Sequence, residues 1–205
     1  MTRLIAGLLS LMVLAACSGA DTFAPAPMSE VQRRAYVHDG PPEITLYTVL
    51  NVTNGSGAHT ALLINGDQRV LWDPAGSFRH PHVPERGDVH YGITENIRKA
   101  YVDYHVRPNF SMEVQTLRVS EAQARELIRL AEAHGSANRS TCARSTSGIL
   151  REAGIDVGRT WFPKSLMRSF AEVPGVRSEL FDNTNVDTSH DVVFDTELAT
   201  PLPVY

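Results

Sequence analysis

Gly57-Ala58-His59-Thr60-Ala61-Leu62-Leu63-Ile64-Asn65-Gly66-Asp67-Gln68-Arg69-Val70-Leu71-Trp72-Asp73 is the stretch that decides how this chain folds. An apolar run from Ala58 to Ile64 and a second run from Arg69 to Asp73 are separated by Asn65-Gly66-Asp67-Gln68. Two β-rich runs across an Asn-Gly step predict an antiparallel hairpin. Upstream, Ile44, Leu46, Thr48, Leu50 and Val52 recur with period two and predict a first strand over 44–52, ending in the loop Thr53-Asn54-Gly55-Ser56-Gly57.

Downstream the period changes. Residues 74–92, rich in Pro, Gly and His, read as loop, 95–105 as helix and 112–119 as strand. Ser120 and Gln123 form a capping box ahead of Ala124, Leu127, Ile128 and Ala131, and Gly135 stands past the end of that helix. A helix over 141–153 is closed by Gly154, and Pro163 opens a short one. Strands and helices in separate runs predict one α+β domain over 43–181, followed by a polar tail over 182–205. The chain of 205 residues has 19 Lys+Arg against 23 Asp+Glu, a formal charge of −4, with 42% hydrophobic residues. Its apolar share excludes a wholly disordered chain, and without a Lys/Arg block it shows no electrostatic footprint for nucleic acid.

Only Cys17 and Cys142 are cysteines. Ser140 or Thr141 can cap the helix that follows, which places Cys142 in a first turn where free N–H groups and the helix dipole favour a thiolate; Arg139 and Arg144 add positive charge. The residues alone leave two readings, a nucleophile or a small inert core thiol. A base tips the balance, and of eight histidines His59 is best placed, on a strand beside a glycine-rich loop. If the turn is the three residues Asn65-Gly66-Asp67, Asp73 falls directly across from His59 and can orient it; a two-residue Asn-Gly turn puts Trp72 there instead. Asp73 also reads simply as the start of the turn Asp73-Pro74-Ala75-Gly76.

His59 on a strand, a polar residue one strand later, and then Thr141-Cys142-Ala143 opening a helix that ends Leu150-Arg151-Glu152-Ala153-Gly154-Ile155 resemble the circularly permuted members of the papain-like fold, relatives of NlpC-type peptidases. Pro163-Lys164-Ser165-Leu166 matches that family's proline-started helix. The resemblance spans roughly residues 44–172. It implies a papain-like antiparallel sheet packed on helices and a thiol enzyme acting on amide, ester or thioester bonds. Cell-wall peptides are frequent substrates of such enzymes, while other permuted relatives transfer acyl groups on lipids. The family's oxyanion side chain has no clear counterpart; Asn138, near the Cys142 backbone N–H, is the candidate. No cofactor or metal is implied by the resemblance.

Arg3 followed by the apolar run 4–16 is too short to span a bilayer but fits a signal peptide. Leu14-Ala15-Ala16-Cys17 resembles the lipobox of bacterial lipoproteins, which implies cleavage after residue 16 and lipid on Cys17. Residues 17–42 then form a lipidated tether, and the membrane is a partner through that lipid. Ser18 after the lipidated position resembles lipoproteins sorted to the outer membrane, facing the periplasm. Two other classes stay open on the residues: a non-catalytic envelope-binding lipoprotein, and a Zn²⁺- or Cu²⁺-binding one using His80, His82 and His90 with Asp88 between. A His59–Cys142 pair within hydrogen-bond reach separates the enzyme from the binding module. No G-x-S-x-G, H-E-x-x-H, P-loop or G-x-G-x-x-G motif occurs.

Overall fold

Two facing apolar stripes on each central strand require cover on both sides of the sheet, and the chain provides it. The computed structural model describes residues 24–192, with the backbone of 194–195 and 200–201. A short helix α1 (Met28–Arg34) precedes β1 (Glu43–Asn51), β2 (Gly57–Asn65) and β3 (Arg69–Trp72). Two short strands, β4 (Glu85–Arg86) and β5 (Val89–Tyr91), lead to α2 (Glu95–His105) and β6 (Phe110–Arg118). Then come α3 (Glu121–His134), α4 (Cys142–Glu152), α5 (Pro163–Ala171) and β7 (Arg177–Phe181), with a small ribbon of β8 (Phe194–Asp195) and β9 (Thr200–Pro201). The protein is α+β: a seven-stranded antiparallel sheet in the order β4-β5-β3-β2-β1-β6-β7, with helices on both faces.

Alternation sorts the core into two layers. Ile44, Leu46, Leu62, Ile64, Val70 and Trp72 pack against α3, α4 and α5, where Leu127, Leu150 and Phe170 are buried. Tyr47, Val49, Ala61, Leu63 and Leu71 face the other way, onto Phe78 and the α2 residues Tyr101 and Val102. The predicted cap of α3 is present in full: Ser120 Oγ accepts from Gln123 N at 3.2 Å, and Gln123 Oε1 accepts from Ser120 N at 3.2 Å. Pro163 stands at the start of α5, as its fixed φ favours.

Four differences from the sequence expectations have local causes. Residues 74–92 contain β4 and β5, which are too short for a period to be read and are made by pairing with β3. β7 carries almost no apolar pattern because nearly all of it is exposed at the sheet edge. Residues 28–34 are helical and Val31 is buried in the core, so the domain starts well inside the predicted tether 17–42; Ala26 N and O are also bonded to Glu85 O and Arg86 Nη1. At the other end His190 is buried with its Nε2 3.3 Å from Asp103 Oδ2, and Lys99 pairs with Asp187 at 2.7 Å, so the predicted tail packs on α2 through residue 190. The leader and Cys17 lie outside the described residues. Among the described residues no helix is long and apolar enough to cross a membrane.

Because Val31 is a core residue rather than part of a tether, Val31→Ala is expected to cost about 2 kcal/mol of unfolding free energy, measured by urea denaturation. A change below a few tenths of a kcal/mol would place α1 outside the cooperative unit.

Candidate active site

β2 runs past the end of β3, and that overhang makes the site. The last pair of the β2–β3 ladder is Leu62 with Trp72, so from Ala61 back to Gly57 the strand has β1 on one side and no strand on the other. On the β1 side the register shifts between Val49↔His59 and Leu50↔Gly57, leaving Ala58 as the extra residue of a bulge next to His59. A bulge re-aims the side chains beside it.

The hairpin loop is Gly66-Asp67-Gln68, closed by Asn65↔Arg69, and neither of the two closures left open by the sequence, the three residues Asn65-Gly66-Asp67 or a two-residue Asn-Gly turn. Extending the ladder places Asp73 opposite Ala61, diagonal to His59 rather than directly across. The shift is by an even number of residues, so Asp73 stays on the same face as His59; an odd shift would have turned it away. The diagonal is within reach of two long polar side chains. His59 Nε2 lies 2.7 Å from Asp73 Oδ1, and Tyr101 Oη donates to the same oxygen at 2.8 Å. Tyr101, on α2, was not singled out in the sequence; it shows there only as one apolar position of a helical pattern.

Asp73 is fully buried, and an isolated buried carboxylate is costly. Burial pushes its pKa up, but the charge and hydrogen bond of His59 outweigh this and hold it below the usual carboxylate range. For His59, burial alone would lower the pKa; Asp73, and then Cys142, reverse that and raise it to about 10. The ring keeps 16% of its side-chain surface exposed. Beside it lies His105, its ring nearly parallel at 10° with centroids 5.9 Å apart, and its Nδ1 2.9 Å from Tyr101 O. Burial holds His105 down to about 4, so at neutral pH it adds no positive charge next to the imidazolium.

Cys142 opens α4 and is 7% exposed. Thr141 is the N-cap residue, as one of the two sequence options had it, yet its hydroxyl does not cap: Oγ1 donates to Asn138 O at 2.7 Å, and Thr141 N donates to the same carbonyl at 3.1 Å. Ser140 before it sits at φ 66°, a left-handed conformation that turns the chain into the helix. Burial raises the thiol pKa, but hydrogen bonding and charge from His59, with the backbone N–H groups of Thr60 and Ala143, bring it below the ordinary value. With Nε2 engaged by Asp73, the other ring nitrogen of His59 is left for the thiol. Thr60, whose N–H bears on the thiol, lies on the part of β2 that runs past the end of β3.

Two residues tie these parts together. Asp88, at φ 62°, accepts from Ala75 N and Ala137 N, each at 2.8 Å on Oδ2, and its carbonyl accepts from Asp73 N at 2.9 Å. One carboxylate therefore links the Asp73 turn to the segment leading into Cys142. Gly76 packs on the Asp73 carboxylate so closely that a Cβ there would lie 1.8 Å from Oδ2. Asn138 has an exposed side chain on the wall of a cleft of about 360 Å³ beside α4.

The alternative metal loop is not assembled. His80 Nδ1 accepts from His82 N at 3.1 Å, His82 Nδ1 is 3.3 Å from Arg34 Nη2, and His90 is fully buried edge-on to Phe78. Asp88 spends its carboxylate on backbone N–H groups instead. Among the described residues the one His/Cys/Asp/Glu cluster with ligand atoms within 4.8 Å of one another is His59, Asp73 and His105.

Gly76→Ala should displace the Asp73 carboxylate and so lower the His59 pKa toward its ordinary 6.5, readable as a shift of the His59 ring resonances in an NMR pH titration. An unmoved titration would show that the contact yields without touching Asp73. A second expectation concerns stability. His59 is raised on folding, so its contribution is fully present below about 6.5 and is lost as pH rises through about 10. The difference in urea stability between the native protein and Asp73→Asn should therefore shrink between pH 7 and 10.5, and a constant difference would contradict the assignment.

No known protein family, curated protein or solved structure matches the chain.

Proposed function

We propose that the protein is a thiol hydrolase or acyltransferase of permuted papain-like, NlpC-type architecture, held at the envelope membrane by lipid on Cys17 and acting on cell-envelope material such as peptidoglycan peptides. The observation that carries this reading is the chain Cys142–His59–Asp73: a thiol at a helix start, an imidazole beside it, and a buried carboxylate 2.7 Å behind. A structural core cysteine needs none of these. The order of elements, His strand first and Cys helix later, supports the permuted relationship, and the helices on the sheet agree with it.

In this reading the resting pair is thiolate and imidazolium. The Cys142 sulfur attacks an acyl carbonyl, and the carbonyl electron pair moves onto oxygen. The Cys142 backbone N–H, at the first helical position and without an intrahelical acceptor, faces that oxyanion, with the Asn138 side chain as the second donor. The tetrahedral intermediate collapses, the leaving amine or alcohol takes the proton from His59, and a thioester on Cys142 remains. Neutral His59 then removes a proton from water or another acceptor, which attacks the thioester; the acyl group leaves on the acceptor, and thiolate and imidazolium are restored. Asp73 keeps the imidazole oriented and Tyr101 keeps Asp73 in place. Rate is expected to rise with formation of the thiolate, below the ordinary thiol range, and to fall as His59 loses its proton near pH 10.

The test is the rate of iodoacetamide labelling of Cys142 in the folded protein at pH 6–7. Wild type should label about tenfold or more faster than a model thiol with pKa near 8.5, and His59→Ala should return it to the model rate. Cys142→Ala should abolish labelling of the mature domain and any release of amine from peptidoglycan peptides. Labelling no faster than the model thiol, or none while the protein is folded, would refute the nucleophile.

A further inference from the structure

Beside the His59–Asp73 pair stands a third group that the chemistry above does not use. His105, the last residue of α2, lies against His59, and one donor atom from each of His59, Asp73 and His105 falls within 4.8 Å of the other two. His105 Nδ1 is 2.9 Å from Tyr101 O, which can only accept, so Nδ1 carries the proton and Nε2 of the neutral ring is a lone pair with no hydrogen-bond partner among the described residues. Anchoring one ring nitrogen on a carbonyl is the usual way a metal-binding histidine is aimed. Asp73 Oδ1 takes the two donors already described, while Oδ2 is buried without a hydrogen-bond partner among the described residues, so half of this carboxylate is uncommitted. Asp73 has no exposed surface, whereas His59 and His105 are each part-exposed, so solvent reaches both imidazoles.

We propose that His59, Asp73 and His105 are the ligands of a single divalent transition-metal ion of the Zn²⁺ type, with water completing its coordination. The site goes beyond the thiol chemistry and needs no reactive Cys142. Two imidazoles and a carboxylate with one position left open are a ligand set that Zn²⁺ accepts. Ligand atoms around tetrahedral Zn²⁺ stand about 3.3 Å apart at bond lengths of about 2.0 Å, between the 2.7 Å His59–Asp73 contact and the 4.8 Å limit of the group. The ion therefore takes the place of the proton between His59 Nε2 and Asp73 Oδ1, and that proton goes to solvent on binding. Tyr101 supports two ligands at once, with its Oη on the Asp73 carboxylate and its carbonyl on His105. Under the proposed function the metal-bound protein is the idle form, because a coordinated imidazole gives up its remaining N–H less readily than an imidazolium does.

Zn²⁺ and Co²⁺ added to chelator-treated protein test the site without knowledge of the substrate. After gel filtration, metal analysis should find a single Zn²⁺ retained per chain in wild type, in Cys142→Ala and in the loop variant His82→Gln. His105→Gln should lose it while circular dichroism stays native. In wild type, Zn²⁺ should shift the His59 and His105 ring resonances together, complete at one equivalent, and leave those of His82 in place; this readout stands even if His105→Gln does not fold. Co²⁺ should give the visible bands of a low-coordinate ion without the near-ultraviolet band that a thiolate ligand adds. No retained metal in wild type, full retention in folded His105→Gln, or unmoved His59 and His105 resonances would overturn the site. Loss of metal in Cys142→Ala, or a thiolate band with Co²⁺, would overturn it too, by moving the ion to the Cys142–His59 pair. Slow iodoacetamide labelling of metal-free protein would instead sink the nucleophile and leave the metal site standing.

Discussion

A carboxylate with no exposed surface sits at the centre of this molecule, and the arrangement around it follows from the need to keep it charged. Asp73 is buried beneath Tyr101 and His59, and each donates to the same oxygen. The imidazolium supplies the opposite charge and the phenol supplies a neutral donor that desolvation keeps protonated. Breaking such a pair by removing one partner strands the other charge, which is why a buried pair constrains its surroundings more than it stabilises the fold. The constraint reaches the backbone: residue 76 must lack a Cβ, and Ala75 is held at φ 58° to bring Gly76 onto the carboxylate.

The sheet supplies the geometry for this. Because β3 stops at Trp72 while β2 continues to Gly57, a notch opens in the plane of the sheet, and the helix start carrying Cys142 enters it from the α3–α5 side while His59 and Asp73 approach from the α2 side. Asp88 pins the rims of the notch to each other through backbone N–H groups on either side. Its own left-handed φ and the adjoining Gly87, whose Cβ would lie 2.9 Å from Gly135, mark how closely two loops are drawn together there.

Much of this is legible in the residues. The hairpin, the α3 capping box, the helix opened by Pro163 and the trio His59, Asp73 and Cys142 all leave local marks: turn dipeptides, cap spacing, a polar side chain on an apolar strand. The exact register of the hairpin does not, because Asn65-Gly66-Asp67-Gln68 accommodates more than one closure, and the face of Asp73 was preserved only because the slip was even. β4, β5 and β7 are strands by virtue of their neighbours, and strands of two or three residues, or solvent-facing ones, carry no period of their own. Tyr101 and Asp88 act through tertiary contacts, so neither has a signal in its own neighbourhood; the Gly87-Asp88 step is the one hint that the chain turns sharply there.

Apart from the Ala143 N–H of its own helix, the groups that lower the pKa of Cys142, the His59 imidazolium and the Thr60 N–H, come from the hairpin half of the chain, far upstream. A nascent or unfolded chain therefore lacks these influences, and the thiol pKa falls below its ordinary value only when α4 docks into the notch. Under the proposed function the fold is then its own safety catch: damage that loosens the sheet end parts the sulfur from His59 and the Thr60 N–H and returns it to an ordinary thiol.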